Sequence, residues 1–191
     1  TATAFITGAT SGIGAAAVEE FVGAGWRVIA TGRRADRLAA LQARLGADAV
    51  HTLAFDVADD AAVDAALAGL PEDWRAIDLL INNAGLFSNN LLIGAHDMSH
   101  AREEMEVNFF GPLALIRAFA PTLARNGGGA VINVLSAAAI VAVPNMGAYS
   151  PSKAAARMLS TSARAELASQ GTHVAALIVG SVDTRMAAHV Q

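Results

Sequence analysis

The 191-residue sequence contains no cysteine. Disulfides and thiolate metal sites are therefore excluded, and the redox compartment is left open. Basic charge is scarce as well: 13 lysines and arginines face 17 acids, for a net charge of −4. No basic block occurs, so neither nucleic acid nor an anionic membrane surface is an expected partner. Long apolar runs are also missing. The longest, residues 130–143 (AVINVLSAAAIVAV), is too short to span a bilayer and carries Asn133 and Ser136, so it predicts a buried strand and a turn. The N-terminal TATAFITGA has neither the charged region nor the long apolar core of a signal peptide. It opens on Thr1 and not on methionine, as a processed or trimmed chain would, and a cytoplasmic protein is the default expectation. Two residue types are almost absent: Tyr149 is the only tyrosine and Lys153 the only lysine. A chain that otherwise avoids both places them four apart.

What is present is apolar. The composition is 54% hydrophobic, largely alanine, which excludes disorder and favours closely packed helices. Continuous apolar stretches such as VIAT, DLLI and VINVL predict strands at 2–7, 27–31, 49–55, 77–82, 130–135 and 173–179. Helical patterns lie between them at 12–24, 35–45, 58–69, 99–124 and 152–169. Strands apolar on both faces belong to a parallel sheet covered by helices on each side. Strict alternation makes this an α/β, doubly wound Rossmann fold, expected as a single dinucleotide-binding domain over 1–191. Ligands in such sheets bind beyond the carboxyl ends of the strands, where chemistry is to be sought.

The first strand ends in TGATSGIG, residues 7–14. Gly8 permits the sharp turn, Gly12 lets the backbone approach a pyrophosphate, and Gly14 lets the next helix lie close to the sheet. Thr10, Ser11 and Ile13 complete the expected cradle. The second strand ends in ATGRR, where sites for NAD commonly place an acid. Arg33 and Arg34 would attract a ribose 2′-phosphate instead, so NADP is expected over NAD. The alternative is a solvated helix start. At the end of the third strand, Asp56 accepts a hydrogen bond from an adenine amine or caps a helix, with Val57 beside it. The fourth ends in NNAG, where Asn83, Ala84 and Gly85 offer small residues and amides to a passing ribose or form a capped turn.

Ser136 ends the fifth strand, thirteen residues before Tyr149, and Lys153 follows Tyr149 by one helical turn. Together with TGATSGIG, NNAG, Asn108 and YSPSK, this order resembles the short-chain dehydrogenase/reductase family along nearly the whole chain. The resemblance implies that Tyr149 is the general acid/base and that Lys153 holds the nicotinamide ribose and lowers the tyrosine pKa. It implies that Ser136 binds the substrate oxygen and that Asn108 keeps a water in a proton relay. Bringing a phenol from ~10 to about 7 takes roughly 4 kcal/mol of differential stabilisation. VIATGRRADRL and LPEDWRAIDLLINNAGL look like the 3-hydroxy acid and serine dehydrogenase branch, whereas NGGGAVINVLS looks more like other bacterial oxidoreductases of the family.

The chain departs from the family pattern in two places. VGSVDT lacks the proline before Gly180, although Gly180, Val182 and Thr184 can still approach the nicotinamide. The chain also stops at Gln191, where relatives continue with a substrate-covering loop, a helix and a seventh strand; these are expected to be missing. Phe87, Ser181 and the 137–146 segment are the candidate substrate walls. Their apolarity favours an uncharged carbonyl or alcohol, and no arginine stands ready for a carboxylate. His96 and His100, with Asp97, Glu103 and Glu104, have a metal-like spacing, but a solvated helix start explains them and no metal is expected. The helices 99–124 and 152–169 carry apolar faces wide enough for a homodimer or homotetramer, with simple core packing as the alternative. The expectation is an NADP(H)-dependent oxidoreductase; the rival is an inactive NADP-binding regulatory or scaffold protein of the same fold.

Overall fold

The computed structural model describes residues 1–180. Six parallel strands form one sheet in the order β3-β2-β1-β4-β5-β6. They are β1 (Thr3–Ile6), β2 (Arg27–Gly32), β3 (Val50–Ala54), β4 (Leu79–Asn82), β5 (Gly129–Ser136) and β6 (Thr172–Val179). The helices are α1 (Gly12–Gly23), α2 (Ala35–Leu45), α3 (Asp60–Ala68), α4 (Ser99–Met105), α5 (Gly111–Arg125) and α6 (Tyr149–Leu167). The expectation that the last helix and a seventh strand are missing concerns chain outside the described residues.

Alternate residues of the central strands β2, β1, β4 and β5 enter opposite cores, as the two-residue period of a strand requires. Phe5, Ile29, Leu80 and Val131 pack with Val63 of α3, with Leu115, Phe119 and Leu123 of α5, and with Ala163 of α6. Ala4, Ile6, Val28, Ala30, Leu79 and Ile81 pack on the other face with Val18 of α1 and with Leu38 and Leu41 of α2. Both faces of these central strands are dry, so they read as unbroken apolar runs. A buried polar line also crosses the sheet: Asn82 donates to Asn133 and Asn133 donates to Ser160 of α6, each at 2.8 Å.

Two elements differ from expectation. The helix expected at 99–124 is interrupted by a π-helical turn, Glu106–Phe110. The cause is in the sequence. Pro112 has no N–H to donate to the Asn108 carbonyl four residues back, and its ring crowds that carbonyl. The helix expected from 152 begins three residues earlier, at Tyr149. Pro151 falls in its first turn, where a missing N–H costs nothing. The stretch Ser99–Arg125 is long and apolar enough to cross a membrane by length and composition. Its apolar side is instead laid on the sheet through Leu115, Ile116, Phe119 and Leu123.

Candidate active site

The carboxyl ends of β1, β4, β5 and β6 open into a cavity of about 760 Å³. The glycine loop forms its floor. Gly8 has φ +66°, a left-handed turn, and a Cβ there would meet the Ala84 Cα at 2.9 Å. A Cβ on Gly14 would lie 2.3 Å from the Gly8 carbonyl oxygen, so α1 can approach the loop this closely only without a side chain. Thr7 locks the loop to β4: its Oγ1 accepts from the backbone N–H groups of Asn83 and Ala84 at 3.0 and 2.9 Å. Ser11 stands at the N-cap of α1 in extended conformation without a side-chain cap, leaving the first-turn amides of a twelve-residue helix to the cavity side.

At one end of the cavity Arg34 donates through Nη2 to Thr10 Oγ1 at 3.1 Å, and Arg33 reaches Asp56 at 3.5 Å. Both arginines line the cavity. Asp56 is not a helix cap. It accepts from the Ala58 N–H at 3.1 Å, while Asp59 caps α3 by accepting from Ala62.

The other end carries the reactive groups. Tyr149 opens α6 and Lys153 stands one turn on; both are buried and both line the cavity. The Lys153 Nζ lies 5.8 Å from the Tyr149 ring centroid and donates to the Val134 carbonyl at 3.2 Å. Burial, with no acid paired to it among the described residues, pushes the ammonium down to about 8. Ser136, at the end of β5, lines the cavity with Tyr149, and its Oγ accepts from the Ala138 N–H at 3.1 Å. Burial pushes the Tyr149 hydroxyl above its ordinary value, the neighbouring Ser136 hydroxyl opposes the rise, and the Glu104 carboxylate adds to it. The lowered tyrosine pKa implied by the family resemblance is therefore not a property of these side chains alone: desolvation outweighs the Ser136 hydroxyl.

Asn108 sits in the π-helical turn, beneath the cavity wall and not in it. Its side chain is fully engaged. Oδ1 accepts from Leu86 N–H at 2.8 Å, and Nδ2 donates to Leu86 O and to Ser152 Oγ at 2.8 and 2.9 Å. Ser152 in turn donates to the Tyr149 carbonyl. The Asn108 amide is thus occupied by protein partners.

Of the residues singled out in the sequence, Gly8, Thr10, Ser11, Gly12, Ile13, Val57, Asn83, Ala84, Gly85, Ser136 and Gly180 also line the cavity. Gly14 lies behind it as a packing contact. Ser181, Val182 and Thr184 lie outside the described residues. Phe87 meets Tyr149 edge-on, with centroids 5.4 Å apart, and Ala137, Ala138, Val143 and Met146 continue the apolar wall. Two residues escaped the sequence reading. Ser152 joins Asn108 to Tyr149. Glu104, expected in a solvated helix start, is instead completely buried. Its place four residues before Asn108, on the same helical face, was the available signal.

The sequence profile of the family described as short chain dehydrogenase matches residues 2–191. A serine 3-dehydrogenase from Rhizobium radiobacter is 41% identical over 182 residues, covering 95% of this chain and 72% of that one. A sulfoacetaldehyde reductase from Chromohalobacter salexigens is 40% identical over 182 residues, covering 94% and 72%. A short chain dehydrogenase from Burkholderia cenocepacia, solved in complex with NADP, superimposes with a TM-score of 0.89 at 40% identity, covering 100% of this chain and 76% of that one.

Proposed function

The chain belongs to the short-chain dehydrogenase family, and on that premise we propose that it interconverts a secondary alcohol and a carbonyl compound with NADP(H). One observation carries the reading: Ser136, Tyr149 and Lys153 converge on the same cavity whose floor is the glycine loop.

The residues fit the cofactor. Gly8 and Gly14 leave room that a Cβ would fill, the α1 amides suit a pyrophosphate, and Arg33 and Arg34 suit a 2′-phosphate. A bound nicotinamide supplies or takes the hydride. The chain's own part is the proton and the orientation. Ser136 holds the substrate oxygen beside the Tyr149 hydroxyl, and that hydroxyl gives up its proton as the carbonyl oxygen gains charge. Lys153, charged below about pH 8, offsets the negative charge left on the phenolate. A phenol held protonated by burial suits reduction; oxidation is expected to accelerate as pH rises, because Tyr149 must then accept a proton.

The substrate wall of Phe87, Val143 and Met146 favours an uncharged small molecule. Both relatives named above take charged substrates by their names, yet among the described cavity residues the arginines stand at the opposite end from Tyr149. Self-association through α5 and α6 is part of the same reading: Phe110, just before α5, is 45% exposed and Met158 on α6 is 66% exposed.

The test is a fluorescence titration with NADPH beside NADH, followed by a carbonyl screen of the chain and of Tyr149→Phe. Preferential NADPH binding, with turnover reduced about 10²–10⁴-fold in Y149F at unchanged NADPH affinity, is expected. Turnover surviving in Y149F would refute the assignment of the acid.

A further inference from the structure

Glu104 is the only carboxylate buried among the described residues. No ion pair compensates it there, and an unpaired buried charge is costly. Its Oε1 accepts twice from Ser88, from the backbone N–H and from Oγ, both at 2.9 Å. Its Oε2 has no hydrogen-bond partner among the described residues. That second oxygen faces the turn ahead of α6: a Cβ on Gly147 would lie 3.2 Å from it and 3.1 Å from the Asn90 carbonyl. Gly147 has φ +55°, so both its backbone and its surroundings require glycine.

The carboxylate therefore touches the neighbours of both rings at the reactive end. Ser88 follows Phe87, and Gly147 precedes Tyr149 by two residues. Phe87 and Tyr149 meet edge-on in the cavity wall, while Glu104 stays outside that wall. The geometry points to Glu104 as a positioning residue: by clamping Ser88 and abutting Gly147, it sets the Phe87–Tyr149 pair and so aims the Tyr149 hydroxyl at substrate. Its catalytic meaning rests on the proposed reaction. Its charge has a second effect, because a negative charge here holds the proton on Tyr149. The other groups facing Tyr149 are Lys153 on α6 and the uncharged Ser136 on β5 and Phe87 after β4. His100 and Asp97 share a small surface cavity with Glu104, Ser88 and Gly147.

The sole tyrosine makes the test direct, since phenolate absorbance in the ultraviolet reports Tyr149 without any turnover. Glu104→Gln keeps the shape and can still accept from Ser88. Its phenolate midpoint is expected below that of the wild type, and the pH profile of the oxidation rate is expected to move down with it. Glu104→Ala removes the clamp and is expected to lower kcat on the order of tenfold at unchanged NADPH affinity, with E104Q recovering most of the loss. An unshifted midpoint in E104Q, or kcat in E104A within twofold of wild type, overturns the assignment. Should E104A fail to fold, the E104Q midpoint decides alone. Should the chain turn over no carbonyl at all, the titration still judges Glu104, so the two failures are told apart.

Discussion

Lys153 is held in a state that folding alone disfavours. Its ammonium is buried, donates to one carbonyl, and has no acid paired to it among the described residues. The fall from 10.5 to about 8 corresponds to a destabilisation on the order of 3 kcal/mol at neutral pH. The unfolded chain binds the proton more tightly than the folded one, so stability is expected to rise with pH from about 8 to 10. Above 10 the effect reverses, because Tyr149 keeps its proton longer in the folded chain than in the unfolded one. Lys153→Met is expected to stabilise the cofactor-free protein by about 2 kcal/mol at pH 7 while abolishing turnover. Urea denaturation at pH 7 and pH 9.5 checks both statements: the rise between them should vanish in K153M. Stability unchanged or lower in K153M at pH 7 would mean that the lysine is compensated after all.

At the scale of elements, close contact between α1, the loop before it and the NNAG turn decides whether the cradle exists. Gly14→Ala would drive a methyl group against the Gly8 carbonyl and the Asn83 amide, at 2.3 and 2.5 Å, with backbone on one side. Overpacking of this kind costs about 1–3 kcal/mol, and here the displaced group is the cofactor loop itself. NADPH affinity is expected to fall far more than thermal stability; calorimetric titration beside a melting curve separates the two. Strands and glycine loop were legible in the sequence because both sheet faces are dry and because turn glycines occur where β1 ends. The break in the 99–124 helix was written in Gly111 and Pro112 but was outweighed by the apolar pattern running across it. The start of α6 was misplaced because Pro151 reads as a stop signal inside a helix and as no obstacle in its first turn. Glu104 was missed for a different reason: its one signal, the spacing to Asn108, was weak. A carboxylate in a helix start is usually solvated, and only the fold brings Ser88 to it from sixteen residues away.

The whole molecule is built from two runs of parallel strands, β1-β2-β3 and β4-β5-β6, joined side by side where β1 meets β4. On the face carrying α5 and α6, exposed Phe110 and Met158 suit a second copy of the chain. Met158→Glu is expected to halve the mass seen by analytical ultracentrifugation while leaving cofactor binding in place; an unchanged mass would move the interface elsewhere. The seam between the runs has a consequence in time. No short hairpin links the halves, so β1 and β4 find each other only after the chain has closed a long loop. The Thr7 bonds to Asn83 and Ala84 cross that junction, and so does the dinucleotide cradle. A ligand seated there binds the joined halves and not the separated ones, so it should slow their parting. Amide hydrogen exchange with and without NADPH is expected to show its largest retardation at Thr7, Asn83 and Ala84, making the coenzyme a latch on the joined halves as well as a reagent.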